Sequence, residues 1–185
     1  DKPYGPWHIY HNIELPLVPV VAAMERRGVE VSRKELRKLS QDFETRMDKL
    51  KTAIFDMAGE EFNLNSPKQM GEILFGKMEL EGAKKTKTGF STNEAVLTKL
   101  AEGGEKIADK ILQYRSLAKL KSTYSDTLQE EIADDGRVHT SYNQAGAATG
   151  RFSSSEPNLQ NIPIRSEDGR KIRHAFVAGR NHKLV

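Results

Sequence analysis

Apolar residues recur at three- and four-residue steps along two long stretches of the chain. The first opens at Ser32 and Glu35, the capping-box spacing in which each side chain satisfies the other's orphan backbone N–H. It continues through Leu36, Leu39, Phe43, Met47, Leu50, Ile54 and Met57 and stops at Gly59. Such alternation predicts a helix with a narrow apolar seam of the coiled-coil type. At roughly 1.5 Å per residue it would be about 40 Å long, which suits a projecting arm. An arm needs a return, and Glu105 to about Ile132 supplies one, with Ile107, Ile111, Tyr114, Leu117, Leu120, Tyr124 and Leu128 at the same steps. The pattern predicts a long antiparallel helix pair.

Shorter elements surround this pair. Ile13 to Arg27 reads as a helix stopped by Gly28, with Pro16 and Pro19 near its start, where proline costs least. Val29 to Val31 is a short extended link. Between the long helices, Ser66-Pro67 reads as an N-cap followed by a first-turn proline, opening a short helix to about Leu74. Ser91 with Glu94 repeats the capping-box spacing for another helix ending near Gly103 and Gly104. The intervening "EGAKKTKTGF" is expected to be a solvated surface turn. After "DDGR" the character changes. "VHTSYNQ" and "TGRFSSS" are short β-rich runs joined by "AGAA", consistent with paired strands. "EPNLQNIP" is turn-rich, "RKIRHAFV" suits a strand or a short helix, and "KLV" begins another extended run. The chain stops within that run, which reads as a piece of something longer.

Composition narrows the function classes. Of 185 residues, 30% are charged and 37% hydrophobic, and no apolar run approaches the length of a bilayer span. The opening "DKPYGPWHIYHN" lacks the basic and apolar regions of a signal peptide. Cysteine is absent, which removes disulfides, thiol nucleophiles and cysteine-ligated metals and fits a reducing cytoplasm. Five scattered histidines offer no metal-binding pair, and neither common nucleotide-cradling glycine loop is present. Net charge is only +3, but it is uneven. The "KKTKTG" loop, the "YRSLAKLKSTY" stretch and the tail from Arg165 to Lys183 concentrate positive charge. That tail holds six Lys/Arg against two acids, a distribution that suits a polyanionic partner.

Five segments in order, "NIELPLVPVVAAMERRGVEV", "EEFNLNSPKQMGEILF", "LAKLKSTY", "GRVHTSYNQ" and "TGRFSSSEPNLQNIPIR", resemble consecutive pieces of the family A DNA polymerases, the bacterial DNA polymerase I family. The resemblance covers essentially the whole chain. It implies an α+β, mainly α fold: a long antiparallel helix pair with a small helical tip (a polymerase thumb), followed by the first strands of a palm. Residues 1–31 would connect from an upstream exonuclease-like domain, 32–134 would be the thumb, and 135–185 the incomplete start of the palm. In the family, the catalytic aspartates and the nucleotide-binding lysine lie beyond the matched motifs. The resemblance therefore implies no catalytic and no metal residue in this segment, with Mg²⁺ serving the full-length polymerase only. Phe152 and Ala147 depart from the family's commoner leucine and hydroxyl residue without changing the class.

The loop from Thr149 to Pro163 then acquires a purpose. A polymerase must hold any primer–template duplex without favouring a sequence. Phosphate contacts give affinity without sequence information. The minor groove presents acceptors, purine N3 and pyrimidine O2, at equivalent places on every base pair. By resemblance, the DNA-binding set is Arg115, Lys119, Tyr124, Thr149, Arg151, Ser153, Asn158, Gln160, Asn161 and Arg165. Gly150 would admit close backbone approach, and Pro157 and Pro163 would stiffen the loop. Taken from the residues alone, Asn158 and Asn161 also suit turn formation, and Tyr124 suits seam packing as well as a phosphate bond. The implied partner is a primer–template duplex, with deoxynucleoside triphosphate bound only by the full-length enzyme. No membrane partner is expected, and the implied protein is a monomer of the bacterial cytoplasm and nucleoid. Two alternatives stay open: a stand-alone, non-catalytic DNA-binding module, and one half of a split polymerase.

Overall fold

A computed structural model describes residues 5–87, 89–179 and 181–184. Readings that fall on residues 1–4, Thr88, Arg180 and Val185 lie outside the described residues. They concern the first residues of the opening segment, one threonine of the lysine loop, one arginine of the basic tail and the last residue of the final extended run.

Helix α1 (Pro6–Ile9) passes through a π-helical turn, Tyr10–Glu14, into α2 (Leu15–Arg27). The helical run thus begins earlier than the predicted Ile13. Extended Gly5 precedes Pro6, and a proline ring is preorganised for a helix's first turn. Gly28, at φ +62°, ends α2 as expected. The predicted link at 29–31 contains a strand, β1 (Val29–Glu30), and Ser32 then opens α3 (Arg33–Ala58). Half of the capping box forms there: Ser32 Oγ accepts from the Glu35 N–H at 3.3 Å. Helix α4 (Pro67–Gly71) starts at Ser66, whose hydroxyl accepts from the Gln69 N–H, and runs into a π-helical turn, Glu72–Lys77.

The lysine loop is a small hairpin rather than a plain turn, with β2 (Lys85–Thr86) paired to β3 (Gly89–Phe90). This corrects the second capping box. Ser91 still donates its N–H across the hairpin to the Lys84 carbonyl at 2.7 Å, so the cap falls two residues later. Asn93 Oδ1 accepts from the Val96 N–H at 3.0 Å, opening α5 (Glu94–Glu102). The return helix forms as α6 (Lys106–Leu120), a π-helical turn over Lys121–Asp126, and α7 (Thr127–Glu131). Three short strands follow, β4 (Arg137–Val138), β5 (Ser141–Asn143) and β6 (Ser153–Ser155). The open choice for "RKIRHAFV" resolves as a helix, α8 (Glu167–Arg173). Ser166 Oγ caps it through the Gly169 N–H, and Ile172 is fully buried.

The chain forms two compact units, Asp1–Ser40 with Ser122–Val185, and Gln41–Lys121. In the first, β1 and β4 pair antiparallel, with Val29 opposite Val138. Strands β5 and β6 form a hairpin with Ser141 opposite Ser155 and Asn143 opposite Ser153. Val31, Leu36, Leu128, Val138, Ile172 and Ala175 are among its buried apolar residues. Ser40 Oγ donates to Asp126 at 2.6 Å, and Arg33 donates to the carbonyls of Gln129 and Ile132 at 2.7 and 3.0 Å. The N-terminal end of α3 therefore lies against α7 and the turn before it.

In the second unit one core joins Ile54 and Ala58 of α3, Met70 and Leu74, Leu97 and Leu100 of α5, and Ile107, Ala108 and Ile111 of α6. Fully burying such a side chain contributes about 1.5–3 kcal/mol. Lys121 pairs with Glu44 at 2.8 Å, so the two long helices run antiparallel, as their seams predict. The α3 seam is unevenly covered. Phe43 and Ile54 are fully buried, Met47 and Leu50 only partly, and Met57 is exposed. Among the described residues, no helix is long and apolar enough to cross a membrane.

Candidate nucleic-acid interface

The loop from Thr149 to Arg165 is built largely by its own polar side chains. Gly150 adopts φ +73° and donates its N–H to the Ala147 carbonyl at 3.1 Å, closing the turn that leads into Arg151. A Cβ there would meet nothing within 4 Å, so the left-handed backbone is what calls for glycine. Along β6 the side chains alternate: Ser154 is buried while Ser155 is exposed. Ser154 Oγ accepts from the Leu159 N–H at 2.9 Å. Just before β5, buried Thr140 places its hydroxyl between the carbonyls of Ser155 and Pro157, at 3.0 and 2.8 Å.

Gln160 closes the loop. Its amide donates to the Phe152 carbonyl and its Oε1 accepts from the Ser154 N–H at 3.3 Å. Asn158 Oδ1 accepts from the Gln160 N–H at 2.9 Å, a turn in which the side chain mimics backbone. Tyr124 is buried, and its hydroxyl donates to the Asn161 carbonyl. Burial raises its pKa above the ordinary tyrosine value. Of the two roles open for Tyr124, packing is the one displayed, with a hydrogen bond that ties the loop to the chain after α6. At the far end, Arg170 and Arg173 donate to the carbonyls of Arg165 and Pro163 at 3.3 Å each.

These bonds sort the expected residues of this unit. Thr149, Arg151, Asn161 and Arg165 have exposed side chains, and Ser153 is half-buried. Asn158 and Gln160 are exposed too, but each spends polar atoms on the loop's own backbone. Buried Thr140 and Ser154 escaped the sequence reading. A strand's two-residue alternation was the available signal, because it turns Ser154 inward between Ser153 and Ser155.

In the other unit, Arg115 is half-buried and braces the start of α5. It donates to the Thr92 carbonyl, to Thr92 Oγ1 at 3.3 Å, and toward Met70 Sδ at 3.0 Å. Desolvation lowers its pKa from the ordinary arginine value. Lys119, one helical turn further along α6, is exposed. A groove of about 520 Å³ between α5 and α6 is lined by both cations, with Glu94, Thr98, Gln113 and Ser116. Lys84, Lys85 and Lys87 stand exposed on the β2–β3 hairpin.

The family model described as DNA polymerase family A matches residues 33–185. The chain belongs to DNA polymerase family A. It is 51% identical over 179 residues to a DNA polymerase I of Rhizobium leguminosarum, covering 96% of this chain and 18% of that protein. It is 54% identical over 176 residues to a DNA polymerase I of Pseudomonas aeruginosa, covering 94% and 19%. This family A chain thus spans about a fifth of the length of the curated relatives it matches. A solved structure, the POL domain of Pol1 from M. smegmatis in complex with DNA primer-template and dNTP, matches with a TM-score of 0.82 and 42% identity. The match covers 92% of this chain and 30% of that one. Among the described residues, no three His, Cys, Asp or Glu side chains come together to hold a metal ion.

Proposed function

We propose that this chain is the duplex-gripping portion of a DNA-directed DNA polymerase that acts in replication and repair, with residues 32–134 as its thumb and 135–185 as the start of its palm. In-line nucleotidyl transfer needs a pair of metal-binding carboxylates, and in this proposal they come from other parts of the polymerase. The chain alone would hold DNA without extending it. The proposed partner is the primer–template duplex, bound by a monomer in the bacterial nucleoid, with deoxynucleoside triphosphate bound only by the longer enzyme.

The observation that carries the reading is the division of labour in the Thr149–Arg165 loop. Asn158, Gln160, Ser154, Thr140 and Tyr124 hold its backbone. Thr149, Arg151, Asn161 and Arg165 keep exposed side chains. A stiff loop that displays donors can reach the minor-groove acceptors common to all base pairs, while cations such as Lys119 meet phosphates. The M. smegmatis relative, described in complex with DNA primer-template, supports the same partner. Arg115 enters this proposal as the brace that sets the α5–α6 groove beside Lys119.

Fluorescence anisotropy with primer–template duplexes of unrelated sequence tests the reading. Affinity should be the same for all of them, and Arg151→Ala should weaken it. A charge-assisted bond of about 1.5–3 kcal/mol corresponds to roughly 10- to 150-fold. A primer whose terminal purine lacks N3 should cost the wild type affinity and cost Arg151→Ala little more. Sequence preference, or fully additive losses, would refute the assignment of Arg151 to the groove.

A further inference from the structure

His139 lies between the last turn of α2 and the turn before β4, with an acceptor at each ring nitrogen. Nδ1 is 2.7 Å from the Glu25 carbonyl oxygen, and Nε2 is 3.0 Å from Asp135 Oδ2. A neutral imidazole has one N–H and can satisfy only one of these oxygens, whereas the imidazolium donates to both. Glu25 makes a second tie: its carboxylate accepts from the Tyr142 N–H of β5 at 2.7 Å. Asp135 in turn accepts from the Arg137 N–H at 3.0 Å. Between these ties, Thr140 reaches to the loop carbonyls of Ser155 and Pro157. The four residues from His139 to Tyr142 therefore join the end of α2 to the hairpin that carries Arg151.

We propose that His139, held as an imidazolium, is a positioning residue that clamps the β5–β6 hairpin to α2, so that the clamp loosens and the Arg151 loop is less firmly presented as the ring loses its proton. The second clause rests on the function proposed above; the clamp itself does not.

The two acceptors at the ring set the direction. The Glu25 carbonyl and the Asp135 carboxylate raise the His139 pKa above its ordinary value, while desolvation and the Arg137 charge oppose them more weakly. Asp135 is held below the usual carboxylate value, first by the Arg137 N–H and then by His139. A histidine raised in the folded state adds stability that is complete below its unfolded pKa and disappears as pH rises through the folded one. A depressed carboxylate adds stability above its unfolded pKa that is lost as pH falls through the folded value. The clamp is therefore strongest between the carboxylate and histidine ranges.

Thermal melts between about pH 5.5 and about pH 8.5 compare wild type with His139→Gln, whose amide does not titrate. His8, His11, His174 and His182 are common to both, so their contribution cancels in the difference. The wild-type midpoint should fall across this range by more than the variant's. The His139 ring, followed by NMR in the wild type, should titrate above the ordinary histidine value, and this measurement decides the matter if the variant does not fold. Equal slopes in the two proteins, or a ring that titrates at or below the ordinary value, would overturn the clamp. Primer–template affinity at fixed salt should also fall with pH more in wild type than in His139→Gln, and equal falls would overturn the link to the loop. A wild type that binds no duplex at any pH would instead sink the proposed function and leave the melts and the ring titration to judge the clamp.

Discussion

Gly28→Ala is the substitution for which the structure yields the largest worked penalty. Gly28 has φ +62° and ψ −177°, a region almost exclusive to glycine that costs an L-residue about 1–3 kcal/mol. Space is a second problem. A Cβ would lie 2.8 Å from both Cε1 and Nδ1 of His139 and 2.9 Å from the Val138 carbonyl oxygen. The ring could move, but only by giving up its 2.7 Å bond to the Glu25 carbonyl, a loss of about 1–3 kcal/mol. The carbonyl belongs to β4, which is paired with β1, and has less freedom. Together these predict about 2–6 kcal/mol of destabilisation. At about 2–4 °C per kcal/mol for a chain of this size, the melting midpoint should fall by roughly 10 °C. Gly150→Ala is the internal control: its φ is +73°, but its Cβ would enter open space. It should carry the backbone penalty alone, about 1–2 kcal/mol. Differential scanning calorimetry of the two variants isolates the crowding at Gly28. Equal shifts would refute the argument that His139 and Val138 enclose that position.

Burial predicts unequal effects along the helix pair. Ile111→Ala, at a fully buried site, should destabilise by about 2–5 kcal/mol, whereas Leu50→Ala, only partly buried, should cost distinctly less in the same denaturation assay. The two cations of α6 should separate by salt dependence. Lys119→Met should reduce the slope of log K against log salt for duplex binding by roughly 0.9. Arg115→Met should lower the melting temperature, through loss of its bonds to Thr92, and leave that slope unchanged; a reduced slope would make Arg115 a phosphate ligand.

Much of the fold was legible in the chain itself. The extents of α3 and of the return helix, the Ser66 cap and the stop at Gly28 follow from local periodicity and backbone chemistry, which act over a few residues and need no partner. The candidate site was expected as a segment only through the family resemblance of "TGRFSSSEPNLQNIPIR"; its residues alone marked a polar, turn-rich loop. Partners distant in sequence decided the rest. Asn93 rather than Ser91 caps α5, because Ser91 is already paired with Lys84 across a hairpin. Leu50 and Met57 continue the seam's spacing yet lie less buried than Ile54, since coverage depends on what packs opposite and not on periodicity. Gln160 and Asn158 turn to the loop's own backbone, Tyr124 to a carbonyl 37 residues away, and His139 to a carbonyl 114 residues away. Hydrogen-bonding capacity is a property of the residue type, but the atom that uses it up is set by which parts of the chain the tertiary structure brings within 3 Å.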